Sequence, residues 1–336
     1  MRAMILATVL MMACSSGGAD TGATDTSSGT SADQACTDSA KAQCQKLDAC
    51  HVDGVAIRYG AMELCVSRVK ANCLVALGAP NTGRTSDNQE ACALAYAGAS
   101  CADFVQGSIA ACLPPAGTRA IGGPCTYSAQ CQSAFCAIPT GTACGTCAAS
   151  PTAGQSCASS QCGPGQQCQK ATTSCQPFGA AGDKCSSTSE CVVGLACVGA
   201  SSASGTTGTC VVGAETLSAA CDRTSGPQCD EVQGLYCSFT PKQTAGTCVK
   251  FLKATAGGAC GFTAGSGTTG SSYTICTGAS QCVVQAGANG GSCVGNALEG
   301  KPCDTTNGPA CLSPARCITA PGLTSGTCQL PDPTQC

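Results

Sequence analysis

The stretch Gly122-Gly-Pro-Cys-Thr-Tyr-Ser-Ala-Gln-Cys-Gln-Ser-Ala-Phe-Cys136, continued to Gly145-Thr-Cys147, decides how most of this chain folds. It opens with Gly-x-x-Cys, closes with Gly-Thr-Cys, and recurs down the chain. Further openings are Gly154-Gln-Ser-Cys157, Gly182-Asp-Lys-Cys185, Gly257-Gly-Ala-Cys260 and Gly300-Lys-Pro-Cys303, with Ser218-Ala-Ala-Cys221 as the departure. Closings are Gly-Thr-Cys210, Gly-Thr-Cys248, Gly-Ser-Cys293 and Gly-Thr-Cys328, and the second unit ends in Thr-Ser-Cys175. A repeat of this length marks an array of small units. The units span 122–147, 154–175, 182–210, 218–248, 257–293 and 300–328.

Each unit holds four cysteines. In chain order they are Cys125, Cys131, Cys136 and Cys147; Cys157, Cys162, Cys168 and Cys175; Cys185, Cys191, Cys197 and Cys210; Cys221, Cys229, Cys237 and Cys248; Cys260, Cys276, Cys282 and Cys293; and Cys303, Cys311, Cys317 and Cys328. First cysteines lie 28 to 43 residues apart, and the variation falls in Gly/Ser/Thr loops such as 200–208 and 263–272, where insertion costs little. Between the third and fourth cysteine an apolar start, a Gly-containing turn and an apolar finish predict a β-hairpin. Four cysteines allow three pairings. The interlaced one, first to third and second to fourth, would brace the hairpin against the opening loop. Cys144 and Cys336 stand outside this scheme: they pair together, remap the first unit, or leave Cys336 free.

Composition explains why cysteine carries the fold. The chain of 336 residues has 35 Cys, 43 Gly and 16 Pro, with only 5 Tyr, 6 Phe and no Trp. That is a disulfide scaffold, stable only in an oxidising compartment. A cytosolic enzyme is excluded. Units this small cannot persist on apolar burial alone.

The N-terminus supplies an export signal. Arg2 precedes the apolar run 3–13, too short to span a bilayer, which needs about 20 residues. Residues 1–13 therefore read as a signal peptide ending at Met11-Met12-Ala13-Cys14, which resembles a bacterial lipoprotein signal. That resemblance implies acylation of Cys14 and attachment to a membrane by more than one hydrocarbon chain. Ser15 in place of Asp implies sorting to the outer membrane. Setting Cys14 aside leaves an even number of cysteines for pairing. Residues 14–35 then read as a lipidated Cys and a disordered Ser/Thr/Gly tether, with a span of about 25 Å.

Residues 36–114 differ from both flanks. Eight cysteines (Cys36, Cys44, Cys50, Cys65, Cys73, Cys92, Cys101 and Cys112) sit in helix-favouring sequence, and four helices are predicted. Two cover 35–49 and 61–77, and two start at Ser86-x-x-Gln89 and Ser100-x-x-Asp103. The loop 78–83 ends the second. Cys36 to Cys44 and Cys65 to Cys73 share one spacing, so an antiparallel helical hairpin would pair Cys36 with Cys73 and Cys44 with Cys65. The expected fold class is small and disulfide-rich: a four-helix, disulfide-braced unit, then a string of about six short β-hairpin repeats covering 115–336 with a short tail.

The lipoprotein signal, tether, helical eight-Cys region ending in Cys112-Leu-Pro-Pro, and Gly-x-x-Cys repeats together resemble the cysteine-rich lipoproteins of myxobacteria. Their repeats are similar in Cys and Gly spacing to the Dickkopf N-terminal cysteine-rich region. The resemblance implies a surface protein and carries no activity.

Little in the chain nominates chemistry. His51, the one His, follows Cys50, whose expected disulfide removes a nucleophile. Cys144-x-x-Cys147 has zinc spacing but no second such pair. Asp222 and Asp304, each after the first Cys of its unit, read as turn residues. Lys/Arg and Asp/Glu balance at nine each over 113–336, which gives nucleic acid no basic surface. The expectation is a non-enzymatic lipoprotein without cofactor or metal, an elongated array that presents loops to a protein or surface partner. The alternative is a disulfide-rich protease inhibitor.

Overall fold

The computed structural model describes residues 29–157, 162–169, 172–200, 205–285, 287–288 and 290–336. The signal peptide, Cys14 and most of the tether lie outside these residues.

The helical unit has five helices rather than four: α1 (Ala32–Cys50), α2 (Gly54–Arg58), α3 (Met62–Leu77), α4 (Ser86–Gly98) and α5 (Cys101–Gln106). It also starts earlier than expected. Ser31 Oγ accepts the Gln34 N–H at 3.2 Å, so the last residues assigned to the tether, from Ala32 on, form the first turn of α1. Cys36, Ala40, Cys44 and Leu47 line the buried stripe of α1, at helical spacing. Cys36–Cys73 and Cys44–Cys65 join α1 to an antiparallel α3. Cys50–Cys101 and Cys92–Cys112 secure α5 and α4. The cap of α4 is Thr85, whose Oγ1 accepts from Asn88 N–H at 3.2 Å, not Ser86. Gln89 is unavailable for a capping box because it is buried and donates to Ser39 Oγ at 2.6 Å.

All six repeats use the interlaced pairing. Repeat 1 forms Cys125–Cys136 and Cys131–Cys147, and repeat 2 forms Cys157–Cys168 and Cys162–Cys175. Repeat 3 has Cys185–Cys197 and Cys191–Cys210, and repeat 4 has Cys221–Cys237 and Cys229–Cys248. Repeat 5 has Cys260–Cys282 and Cys276–Cys293, and repeat 6 has Cys303–Cys317 and Cys311–Cys328. The third and fourth cysteines face each other directly across the hairpin in every repeat, as Cys136 faces Cys147 and Cys317 faces Cys328. Each bonds backwards to the opening segment instead of across. The two bridges thus lie side by side and form the core: Cys125, Cys131, Cys136 and Cys147 pack as one buried cluster. In repeats 1, 3, 4 and 6 the opening strand adds to the last strand, giving three strands in the order opening, last, third. Repeat 2 keeps two strands, and in repeat 5 the insertion builds further strands, so that Ser272–Cys276 pairs with Ala259–Thr263.

The Gly-x-x-Cys signature has a backbone cause. Gly122, Gly154, Gly182, Gly257 and Gly300 have φ of 89°, 85°, 95°, 88° and 74°, a region that penalises a Cβ. There each donates its N–H to the carbonyl of the repeat's last cysteine, at 2.8 Å in every case. Ser218 makes the same bond to Cys248 at φ 66°. The closing Gly is needed for a different reason. A Cβ on Gly145, Gly208, Gly246, Gly291 or Gly326 would overlap a carbonyl oxygen of the neighbouring strand.

The repeats do not run out as a free string. Repeat 1 lies on the loop after α3, where Gly83 N donates to Ala129 O at 2.8 Å and Gln130 Nε2 to Pro80 O at 3.0 Å. Gly165 N bonds Gln106 O, Val52 N bonds Val232 O, and Gly278 N bonds Ala56 O, which seats repeats 2, 4 and 5 on the helices. Leu312 of repeat 6 is 2% exposed among Leu47, Val55 and Tyr59, and Arg68 Nη2 donates to its carbonyl at 2.8 Å. Repeat 6 then meets repeat 1: Thr319 N donates to Gly141 O at 3.0 Å, and Cys144 bonds Cys336 across 192 residues of sequence. The chain closes as a ring of repeats around a helical hub. The expected elongation fails because Leu312 lies outside the sulfur cluster of repeat 6 and is buried against the helices, which requires repeat 6 to dock on them.

Ser218→Gly raises stability and Gly182→Ala lowers it, each by about 1–2 kcal/mol, the cost of a left-handed non-Gly residue; denaturant midpoints check both. A Cys144→Ser/Cys336→Ser variant keeps the repeat disulfides but loses about 2–4 kcal/mol. An unchanged midpoint would mean that the clasp adds nothing to closure.

Candidate functional site

The cysteines named from sequence are brought together as bridges. In several repeats three sulfurs lie within 4.8 Å of one another, as in Cys125, Cys131 and Cys147, Cys185, Cys191 and Cys210, or Cys221, Cys229 and Cys248. These are adjacent disulfides, and oxidised sulfur offers no thiolate to an ion. Cys197 and Cys237 stand outside the last two groups, each buried and bonded to the first cysteine of its repeat, Cys185 and Cys221. Cys311 differs from its counterparts Cys191 and Cys229 in being only half-buried, yet it too is bridged, to Cys328. Cys144, whose spacing to Cys147 suggested zinc, is bonded to Cys336. Among the described residues no helix is long and apolar enough to cross a membrane. The 17 disulfides fit an exported protein.

Asp222 and Asp304 are turn staples. They occupy matched sequences, Cys221-Asp-Arg-Thr-Ser-Gly-Pro227 and Cys303-Asp-Thr-Thr-Asn-Gly-Pro309. Asp222 Oδ1 accepts the N–H groups of Thr224 and Ser225, both at 2.8 Å, and Oδ2 accepts Thr244 Oγ1 at 2.8 Å. Asp304 repeats this with Thr306 N–H at 2.8 Å, Asn307 N–H at 2.9 Å and Ser325 Oγ at 2.8 Å. These bonds, the backbone ones foremost, hold each carboxyl down to about 2. A carboxylate with its acceptor sites turned inward joins the opening strand to the hairpin tip.

His51 ends α1, with Nδ1 3.0 Å from Val52 O. It sits where two cavities of about 350 and 360 Å³ meet, between the hub and repeats 3 and 4, with Val105 and Val193 on both. Asp230 and Glu231 lie on the same side. Burial pushes both carboxyls up, and Asp230 adds to the rise of Glu231. Asp230 Oδ1 is committed to the Val232 N–H at 2.8 Å. Cys50, next to His51, is bonded to Cys101, so the imidazole has no thiol to activate.

The arrangement that sequence reading missed is aromatic. Tyr236, Phe239, Phe251, Phe262 and Tyr273 converge on the face where repeats 4 and 5 meet. Tyr236 lies 5.8 Å from Tyr273 and 6.3 Å from Phe251, Phe239 stacks on Phe262 at 5.9 Å, and Phe251 meets Tyr273 edge-on at 5.7 Å. Ser271 ties the two repeats beneath them, donating its N–H to Phe239 O at 2.7 Å and lying 3.1 Å from the Tyr236 hydroxyl. Arg223, the residue after the Asp222 staple, stands 4.5 Å over the Phe239 ring. Tyr273 is 37% exposed and neighbouring Leu252 53%. A shallow cavity of about 240 Å³ opens among Arg223, Tyr236, Phe239, Phe262 and Tyr273. The rings are spread over 38 residues of sequence from Tyr236 to Tyr273, so no local pattern announces them. Their separation by successive hairpins is the only trace.

No known family, curated protein or solved structure matches the chain.

Because the folded value of Asp222 and Asp304 lies below the ordinary carboxylate value of about 3.9, the staples stabilise fully above that value. Their contribution fades as pH falls through about 2. Carboxyl-carbon NMR titration should give both midpoints near about 2. A midpoint near the unfolded value for either would remove its staple.

Proposed function

We propose that this chain is an exported, lipid-anchored, non-enzymatic binding protein of the outer membrane, held through Cys14 and a tether, whose repeats present the aromatic face of repeats 4 and 5 to a protein or surface partner. The observation that carries this reading is the half-exposed aromatic cluster with Arg223 over Phe239. Tyr and Arg are the residues in which binding energy concentrates at interfaces, and Arg223 is in no ion pair among the described residues. Interlaced disulfides beneath the face keep it rigid, so a partner meets surface that loses little entropy on binding. The lipoprotein signal and the resemblance to myxobacterial cysteine-rich lipoproteins support the anchor. The tether would place the ring clear of the lipid headgroups.

Two sets of variants test the anchor and the face separately. Cys14→Ser should lose acylation and leave the membrane fraction, read by metabolic labelling with a fatty acid; persistent acylation would overturn the lipoprotein assignment. Tyr273→Ala and Arg223→Ala, with unchanged disulfide maps, should each lower capture of cross-linked partners from intact cells about tenfold, which corresponds to about 1.4 kcal/mol. Capture at the parental level in both would remove the aromatic face from the proposal.

A further inference from the structure

A further cavity, of about 560 Å³, lies at the seam where repeat 6 closes onto repeat 1 and the hub. It is lined by two arginines, Arg84 from the segment before α4 and Arg316 from repeat 6, together with Tyr127, Thr140, Thr305 and apolar Ile138 and Pro139. Among the described residues no Asp or Glu lines it. The three ion pairs among the described residues are Arg68 with Glu299, Lys70 with Asp33 and Lys253 with Asp53, so neither cavity arginine has a carboxylate partner there.

Both guanidinium groups are held by neutral partners. Arg84 Nη1 donates to Gln89 Oε1 at 2.8 Å, while its Nε is buried without a hydrogen-bond partner. Arg316 donates to Ala143 O at 3.2 Å and to Thr126 O at 3.1 Å, both across the seam in repeat 1. The acid near Tyr127, Asp332, is not among the lining residues, and its Oδ1 accepts from Thr334 Oγ1 at 2.7 Å and Thr334 N–H at 2.9 Å. Burial pulls both arginines below their ordinary value. Two half-buried cations without a counter-charge are costly unless an anion completes them.

We propose that this seam cavity is a binding site for a small organic oxyanion, a molecule of about sugar size bearing a carboxylate or phosphate group. The guanidinium fork matches such a group in shape and charge. The volume falls within the range of small-molecule sites, about 300–1,000 Å³, and leaves room for an organic body against Ile138, Pro139, Thr140 and Thr305. A ligand here would touch the hub, the first repeat and the last, all at the point that the Cys144–Cys336 bond clasps. The site is separate from the aromatic face and does not depend on it.

Isothermal titration of the purified exported chain with glucuronate, glucose 6-phosphate, neutral glucose and inorganic phosphate tests it, with the Tyr127 ring resonances as a local readout. At least one acidic sugar should bind and shift Tyr127, glucose should not bind, and inorganic phosphate should bind more weakly than the acidic sugar. Arg84→Gln should weaken binding about tenfold, and Arg84→Lys should recover part of it. Arg316→Gln should do the same, but it also loosens the seam, so Arg84 decides where the two disagree. Failure of both acidic sugars to bind, equal binding of glucose, inorganic phosphate binding as tightly as the sugars, or undiminished affinity in Arg84→Gln would overturn the proposal.

Discussion

Two disulfides lying side by side in each repeat, first cysteine to third and second to fourth, are the constraint from which the rest of this structure follows. Each pair connects a hairpin to the segment that leads into it, and the four sulfurs fill the space that leucine and phenylalanine fill elsewhere. A repeat built this way needs almost no apolar surface of its own, which is why a chain with so few aromatics can sustain six of them. Each bridge contributes on the order of 2–4 kcal/mol, mainly by restricting the unfolded chain. The same economy relaxes the loops. Insertions such as the one in repeat 5 lengthen strands and leave the paired bridges in place.

Closure of the array is a consequence of what those cores leave out. Leu312 lies outside the sulfur cluster of repeat 6 and is buried against Leu47, Val55 and Tyr59 of the helices. Backbone bonds then fix the docking, from Val52 to Val232 and from Gly278 to Ala56. Once successive repeats dock on one hub, the last returns to the first, and Cys144 and Cys336 come within bonding distance. The clasp is thus made possible by packing and then locks it. The joints this arrangement creates are where distant residues meet: the aromatic face between repeats 4 and 5, and the arginine cavity between repeats 6 and 1.

Much was legible in the residues. The shared spacing of Cys36 to Cys44 and Cys65 to Cys73 is the spacing of about two helical turns, and the structure pairs them antiparallel. Within the repeats, cysteine order left three pairings open, the interlaced one among them, and the structure adopts that one, joining Cys197 to Cys185, Cys237 to Cys221 and Cys311 to Cys328. Ser100 caps α5 as Ser-x-x-Asp suggests, and the Asp222 and Asp304 turns were visible as an Asp directly after the first cysteine of its unit. Other signals misled. Ser86-x-x-Gln89 resembled a capping box, yet Gln89 is drawn into the core by Ser39, leaving the cap to Thr85. The short α2 escaped notice because five residues carry too little periodicity.

By itself the sequence determined the oxidising address, the repeat, the place of each glycine and the presence of a helical region, because each is written in residues close together along the chain. Only the tertiary structure decided that the array closes, that Cys144 finds Cys336, and that Tyr236 meets Tyr273 or Arg84 shares a cavity with Arg316. Those outcomes depend on how docked repeats bury the few apolar side chains left outside their sulfur cores, and local spacing carries no record of that packing.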